Sequence, residues 1–565
     1  MIKQPDSKQP TNRWQVTGEA VVIALACVIG VFPLFLIARG TITDDQVWSG
    51  SIGWVQDSQQ YLAWIADSAH HLLVGNLYSL AEPNRVYLNP GILISGLLHR
   101  AGLSAAVAYA VWIPIGLISI CVGAVLYVRD RIASPAQRVV ALTLGLLYAF
   151  PLYLIFSELP RGGLAGFGLA AVSEQSRTLS ALWGYQYSAV PIGLVCFAML
   201  AYARASRAGR RFSPAVALLT LAACWLQPWQ GIIIAAAAIG SELVIRTAIV
   251  PTELRKSLRS NGWQLAATTA LAALLPVIYY WALGRFDLSF ATTDTNQEFS
   301  SLSQSWWILL LIAAPLLLPA VAAVRLPRDA EIGDVLLRAW PISAIGFALL
   351  LSVTGIASEP AHAYRGIAIP LAILAVIGAS RLVQNRPKPL AAILAAVSII
   401  LLCGLGSFHA LQTQVTNIDH KPSGDGAFVQ PNEQHALDWI ASQDRRIGVL
   451  ASNRIAPIVP GATAHQVWSG NWTWTPNYAA RFAAVGLVTS GAPCCQVGLL
   501  SMPSPRFAQA TGAGLLLIDC DVNATEVLKE LAPAISRTQR FGCAAVAELL
   551  PGSKADRDAV TATFG

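Results

Sequence analysis

The chain has 565 residues, 55% of them hydrophobic and only 12% charged, and its mean hydropathy is +0.54; soluble domains carry about 25% charged residues, so a soluble enzyme is excluded and an integral membrane protein is implied. The net charge of +7 invites a nucleic-acid partner, but Lys and Arg sit in short clusters between apolar runs, where orientation in a membrane accounts for them. Nucleic acid is therefore discounted.

The amino terminus, MIKQPDSKQPTNRW followed by about twenty apolar residues, is too long for the apolar core of a signal peptide and lacks a small-residue cleavage site before Thr41. It reads as a retained first helix. Windows of about twenty apolar residues place helices near 18–39, 104–128, 136–157, 187–204, 213–227, 229–246, 263–283, 306–324, 337–356, 364–382 and 389–411, about eleven spans in all. The fifth and sixth are short and meet at Gln227, Pro228, Trp229 and Gln230, which is either a tight hairpin or one broken helix. Arg129, Arg131 and Arg138, then Arg204 to Arg211, Arg246 to Arg259, Arg325 to Arg338 and Arg381 to Lys388 fall in alternate loops on the side of the amino terminus. The positive-inside rule makes that side cytoplasmic. The loops 40–103, 158–186, 284–305 and 357–363, and everything after 411, are then extracytoplasmic.

From about residue 412 the composition becomes that of a soluble domain. Residues 431–442 read as a capped amphipathic helix, 446–451 and 464–469 as strands, 475–488 as a helix, 513–519 as a buried strand, 523–535 as a helix and 541–549 as a last strand. Strands alternating with helices predict an α/β domain with a partly parallel sheet. The expected organisation is a helical transmembrane domain over 1–411 and a soluble extracytoplasmic α/β domain over 412–565. Cys27, Cys121, Cys196, Cys224 and Cys403 lie in apolar runs as small buried hydrophobes. Cys494, Cys495, Cys520 and Cys543 fall in the last region, where free thiols and one or two disulfides both remain open.

The chemistry-bearing residues concentrate outside. The first outer loop gathers Asp44, Asp45, Asp57, Asp67, His70, His71, Glu82 and Arg85 among six aromatic residues. Within it, residues 57–74 form an amphipathic helix with Asp57 near the first turn and Tyr61, Leu62, Ile65, Ala69 and Leu72 at helical spacing. One reading is an interfacial helix with a capping Asp. The other makes Asp57, walled by Trp54 and Trp64, a general base at the membrane face. The adjacent Asp44 and Asp45 offer oxygen ligands for a divalent cation such as Mg or Mn. In the second outer loop, Glu158, Arg161, Glu174, Gln175 and Arg177 precede Trp183, Tyr185 and Tyr187. Arg forks suit phosphate and aromatic faces suit sugar rings, although an aromatic belt has the same composition. Gln227, Trp229 and Gln230 flank a break that can line a cavity. His362 and Arg365 flank a further outer boundary, where Arg365 either holds a lipid-linked phosphate or reaches out to headgroups. In 468–481, Trp468, Trp472, Trp474 and Tyr478 with Asn471 and Arg481 either dock the outer domain on the helices or cover a site. Asn471 and Asn523 lie in N-x-Thr sequons.

The layout, together with VQDSQQYLAWI (55–65), YLNP (87–90), SEQSRTLSALWGYQYSAV (173–190), LQPWQG (226–231), YRGIAIPLAILAVIGASRL (364–382) and VWSGNWTWTPNYAAR (467–481), resembles the GT-C class of membrane glycosyltransferases. The resemblance implies a polytopic helical fold in the plasma membrane and a polyprenyl-phosphate-linked sugar donor. It also implies an extracytoplasmic glycan, lipid or protein acceptor. It puts the base on Asp57, with the Asp44 and Asp45 pair as the alternative position, an acidic second-loop residue on Glu174 and a late-helix arginine on Arg365. The rival readings are a transporter or flippase of lipid-linked material and a non-catalytic membrane scaffold. Internal symmetry and midplane ionisable residues, the marks of a transporter, are not found in the sequence.

Overall fold

A computed structural model describes residues 13–43, 46–53, 55–150, 172–247, 255, 262–293, 306–327, 329–354, 360–385, 387–418, 426–490, 495–497 and 500–565. Asp44, Asp45, Trp54 and Arg161 lie outside the described residues.

Each apolar segment expected to span carries a helix, although the one expected over 136–157 ends at Leu147 and residues 151–157 lie outside the described ones: Arg13–Thr43, Trp112–Arg131 with the short Ala105–Ala110 before it, Pro135–Leu147, Gln186–Arg207, Pro214–Leu226, Pro228–Arg246, Gly262–Phe286, Trp306–Val321, Ile332–Thr354, Ala368–Val383, and Lys388–Ile399 running on through a π turn to Gly406–Asn417. Seven of these, by length and composition, can cross a membrane, and Pro135–Leu147, Pro214–Leu226, Trp306–Val321 and Ala368–Val383 are shorter apolar helices. The chain is a multi-span helical membrane protein. Between Pro214–Leu226 and Pro228–Arg246, Gln227 is extended (φ −153, ψ 102), and Gly231 sits tightly against Cys224. A continuous helix would hold residues seven apart about 10 Å from each other, so this junction is a hairpin.

One end of the bundle is tied by arginines. Arg129 donates to Glu19 at 2.8 Å, Arg131 reaches Asp334 at 3.3 Å, Arg207 pairs with Glu331 at 3.0 Å and Arg246 with Glu242 at 2.5 Å. Arg338 donates to the carbonyls of Ala323 at 2.7 Å and Val324 at 3.0 Å just past the end of Trp306–Val321. Helix ends leave carbonyls unbonded, and this side chain satisfies them.

The carboxyl-terminal region is α/β. Its four-stranded sheet runs in the order Val449–Ala451, Leu515–Ile518, Ala544–Leu549, Ile535–Phe541. The first pair is parallel, with Val449 opposite Leu515, and the others are antiparallel. Strand side chains alternate between faces, and here both faces are buried. Val449, Ala451, Leu515, Leu517, Ala544 and Val546 join Leu62, Ile65, Val74, Leu77 and Tyr78 of the first outer loop in one core. Leu450, Leu516, Ile518, Ala545 and Ala547 pack instead with Val485, Phe507 and Phe564 from helices Tyr478–Thr489, Ser504–Ala510 and Lys554–Phe564.

Several expectations are corrected here. Residues 464–469 form no strand; Val467 makes one parallel bridge to Val449. The helix expected over 523–535 ends at Glu530, and Ile535–Phe541 is an edge strand whose central residues are exposed. The helix expected from 475 starts at Tyr478, because Asn477 takes φ +47, a left-handed conformation that Asn tolerates. Cys520 is disulfide-bonded to Cys543, and Cys495 is disulfide-bonded as well. Asn471 is fully buried, so its sequon is out of reach in the folded protein, whereas Asn523 is an exposed helix cap.

The first outer loop is sewn to the α/β region along its length. Val47–Trp48 pairs antiparallel with Phe428–Val429. Asn76 donates to the carbonyl of Trp474 at 2.8 Å, Tyr78 to that of Pro457 at 2.8 Å, and the Val467 amide to Leu77 at 2.9 Å. Asp67 clamps the loop internally, accepting from His71 Nδ1 at 2.9 Å, the Gly75 amide at 3.0 Å and the Arg85 guanidinium at 3.1 Å. His71 and Arg85 are partly exposed, so removing Asp67 chiefly orphans the buried Gly75 amide, which costs about 2 kcal/mol. Asp67→Ala is therefore expected to lower stability by about that much, whereas Lys554→Ala, which breaks an exposed pair with Asp558, costs about 0.5 kcal/mol or less. Thermal unfolding of both variants in detergent checks the contrast.

Candidate active site

Helix Val55–Ser68 of the first outer loop carries Asp57 in its first turn. The loop helix is shorter than the 57–74 span read from sequence. It lies between the bundle and the α/β region, with ten of its fourteen residues buried, so the surface-lying helix of the blander reading is replaced by a packed one. Trp64 meets Tyr87 at 4.6 Å between centroids and Trp474 at 5.0 Å. Tyr61 contacts Tyr109 at 5.5 Å and Tyr187 at 5.4 Å. Asn471 donates to the carbonyl of Gln56 at 2.7 Å, which fixes the amino end of the helix from the α/β side.

Asp57 Oδ2 accepts a hydrogen bond from the Tyr185 hydroxyl at 2.6 Å. Tyr185 stands at the junction of the single turn Ala181–Gly184 with the long helix Gln186–Arg207. Over its ring, 4.4 Å from the centroid, lies the guanidinium of Arg365, a cation–π arrangement. Arg365 is 2% exposed and its Nε donates to Gln175 Oε1 at 2.5 Å. It is thus drawn inward, not out to lipid headgroups. The turn that delivers it is Pro360–Tyr364 followed by Gly366 at φ +79; a β-carbon there would be strained and would press on Ile192.

His362, from the same turn, places its ring 6.0 Å from that of Tyr185 and 6.2 Å from that of Trp229. Its carbonyl accepts from Gln230 Nε2 at 3.4 Å. Gln227 accepts from the Ser188 hydroxyl at 3.4 Å, and the Ser188 amide in turn donates to the Tyr185 carbonyl at 2.7 Å. Asp57, His362, Arg365 and Gln227 are therefore brought into one neighbourhood. Trp472 is half-buried beside Asn471. Trp474 is the residue of that motif that docks on the loop helix, while Trp468 belongs to the α/β core, stacked on Phe507 and Phe564. Glu174 contributes its carbonyl to the Arg177 amide and the Ser180 hydroxyl; the link from its segment to the site comes from Gln175. Among the described residues no group of three His, Cys, Asp or Glu side chains is placed to hold a metal, and the Asp44 and Asp45 pair lies outside them.

Electrostatically the site is strained toward neutrality. Asp57 lies deep in the protein yet keeps intermediate accessibility. Burial pushes its carboxyl above the usual carboxylate value, and the Tyr185 hydrogen bond and the Arg365 charge offset part of this. His362 is held well below its ordinary value by burial and by Arg365, so its imidazole is neutral. Burial raises the Tyr61 phenol to about 12, with Arg365 and Asp57 both acting on it. The arrangement joins a carboxylate whose proton affinity is raised, a neutral imidazole and a fixed cation. That set can accept a proton from a hydroxyl and stabilise an anion.

The roles of Tyr185 and Gln175 were not assigned from sequence. The second-loop stretch that contains them was read as an acid, base and aromatic cluster suited to a sugar or phosphate, without a role for either residue.

No protein-family model matches the chain, and no curated protein matches it. Among solved structures it is similar to the oligosaccharyltransferase AglB of Archaeoglobus fulgidus in complex with an inhibitory peptide and a dolichol-phosphate (10% identity, 90% of this chain and 70% of that one, TM-score 0.46). It is also similar to ArnT from Cupriavidus metallidurans bound to undecaprenyl phosphate (13% identity, 95% of this chain and 99% of that one, TM-score 0.47). These are likenesses only, and the functional reading rests on the chain's own residues.

A carboxyl whose value is raised on folding binds its proton more tightly in the folded state, so stability falls as pH climbs from about 4 through the raised value. Asp57→Asn removes this titration. Relative to wild type, the variant is expected to gain stability as pH rises from about 4 toward the raised value of Asp57. Tyr185→Phe removes a donor to the carboxylate and extends the wild-type loss to higher pH. Melting temperatures in detergent across that range decide it; a gap between Asp57→Asn and wild type that does not change with pH refutes the assignment.

Proposed function

We propose that the chain is a membrane glycosyltransferase of the GT-C class that moves a sugar, with inversion, from a polyprenyl-phosphate donor to an extracytoplasmic acceptor. The acceptor is a glycan, lipid or protein hydroxyl. The carrying observation is the Asp57 carboxylate, deep in the protein, hydrogen-bonded to Tyr185 and linked through that ring to the guanidinium of Arg365.

In this reading Asp57 takes the proton of the acceptor hydroxyl. The freed oxygen attacks the anomeric carbon from the face opposite the phosphate. The bond from that carbon to the phosphate oxygen breaks, and the electron pair leaves on the polyprenyl phosphate. Arg365 stabilises the developing negative charge, so no general acid is needed. A glycosidase needs two carboxylates; a phosphate leaving group removes the need for the second.

The position of the site favours transfer over transport. The ion pairs of Glu19, Glu242, Glu331 and Asp334 gather at one end of the bundle. Tyr185 begins the helix whose other end, Arg207, joins that cluster, so the Asp57 site lies at the opposite end, away from the midplane where transporters place their ionisable groups. With arginines cytoplasmic, the site and the α/β region face outward from the plasma membrane.

A deletion strain is expected to lack one sugar on an envelope glycan, lipid or protein by mass spectrometry, and wild-type chain restores it. Asp57→Asn is expected to insert and fold yet to transfer about 10²- to 10⁴-fold more slowly. Full restoration by that variant would sink the assignment of the base.

A further inference from the structure

Three buried amides close to Asp57, Tyr185 and His362 in the fold leave hydrogen-bonding capacity unused among the described residues. Gln60, one helical turn beyond Asp57 and therefore on the same face of its helix, is 3% exposed, and neither its Nε2 nor its Oε1 has a partner among the described residues. The same is true of Gln186, fully buried and next in the chain after Tyr185. Gln230, also fully buried, gives its Nε2 to the His362 carbonyl at 3.4 Å and leaves its Oε1 without a partner. They come from three different elements, the Val55–Ser68 helix and the starts of Gln186–Arg207 and Pro228–Arg246. Those elements meet around the Asp57, Tyr185 and His362 side chains.

Buried amides are almost always hydrogen-bonded, because leaving one unpaired forfeits its hydration for nothing. Three on elements that meet around one group of side chains call for a ligand that both donates and accepts. An amide presents two donors and an acceptor, and a sugar hydroxyl presents one donor and two lone pairs, so hydroxyls can satisfy both ends of each amide. A carboxylate on the ligand only accepts and an ammonium only donates, so either charged group would leave one end of the amide it meets unpaired.

We infer that Gln60, Gln186 and Gln230 form a hydroxyl-reading site for the sugar of the donor, and that this sugar is an uncharged polyhydroxylated one. The inference rests on the glycosyltransferase reading and narrows its substrate class.

The test measures binding of four probes to the full-length protein in detergent: farnesyl phosphate, mannosyl, glucosaminyl and glucuronyl farnesyl phosphate. The mannosyl probe is expected to bind about ten-fold or more tighter than each of the other three, the worth of one buried hydrogen bond. Gln60→Leu, Gln186→Leu and Gln230→Leu are each expected to erase about ten-fold of mannosyl-probe affinity. They should leave farnesyl phosphate binding unchanged, and Gln60→Leu and Gln186→Leu, which remove amides with no partner among the described residues, should melt no lower than wild type without ligand. A merely structural amide would lower the melting temperature instead. Equal binding of neutral and charged probes overturns the inference, as does a Gln60→Leu or Gln186→Leu variant that melts lower, or any of the three that keeps wild-type affinity for the mannosyl probe. If farnesyl phosphate binds and the sugars are not distinguished, only this inference falls. If none of the four binds, the reading it rests on falls with it.

Discussion

The structure depends on one constraint: the first outer loop has no core of its own and must borrow one from each side. Leu62, Ile65, Val74, Leu77 and Tyr78 are too few to close a hydrophobic cluster alone, and they complete it with one face of the carboxyl-terminal sheet. The backbone obeys the same rule. A loop at a membrane surface must satisfy its polar groups, and here Val47–Trp48 finds a strand partner in Phe428–Val429 while Leu77 accepts from Val467. On the other side Tyr61 and Trp64 stack with Tyr109, Tyr187 and Tyr87. The helix carrying Asp57 is consequently held by both halves of the chain, which is the preorganisation a reactive group needs.

That placement explains the electrostatics. A carboxylate brought under the α/β region loses hydration, and its proton affinity rises. Tyr185 and Arg365 return part of the lost stabilisation, and Gln175 in turn fixes Arg365. The same burial makes His362 neutral, so across Tyr185 one carboxylate faces one guanidinium. A site balanced in this way is costly to fold and useful for moving a proton off a hydroxyl, which is why the two effects belong to one group of residues.

The sequence made the membrane helices legible because each is a long apolar run, and the hairpin at Pro228 remained ambiguous because short apolar runs carry no signal of direction. Buried strands Val449–Ala451 and Leu515–Ile518 could be read from their apolar runs. The strand Ile535–Phe541, ISRTQRF, could not: it is an exposed edge where Arg537 and Arg540 discourage further pairing, and charge without periodicity looks like a helix end. Asp57 was found because a carboxylate among aromatics is unusual in an apolar chain. Arg365, Gln175 and Tyr185 were each noticed separately, but their assembly around Asp57 was not, since they come from segments up to 190 residues apart and only folding sets one ring between two charges. The WSGNWTWTPNYAAR motif shows the same limit. Trp468 and Trp474 differ by six positions yet serve different cores, a distinction that no composition contains.

The arginines show how one residue type carries two constraints at once. Their alternate-loop pattern is what orients a chain in a membrane, and it was read as such. In the fold the same side chains hold the bundle: Arg129, Arg131, Arg207 and Arg246 neutralise carboxylates, and Arg338 satisfies the carbonyls after Trp306–Val321. That end of the bundle is closed by charge pairs. The opposite end is closed by aromatic stacking and amides, which leave hydrogen-bonding capacity unused at Gln60, Gln186 and Gln230.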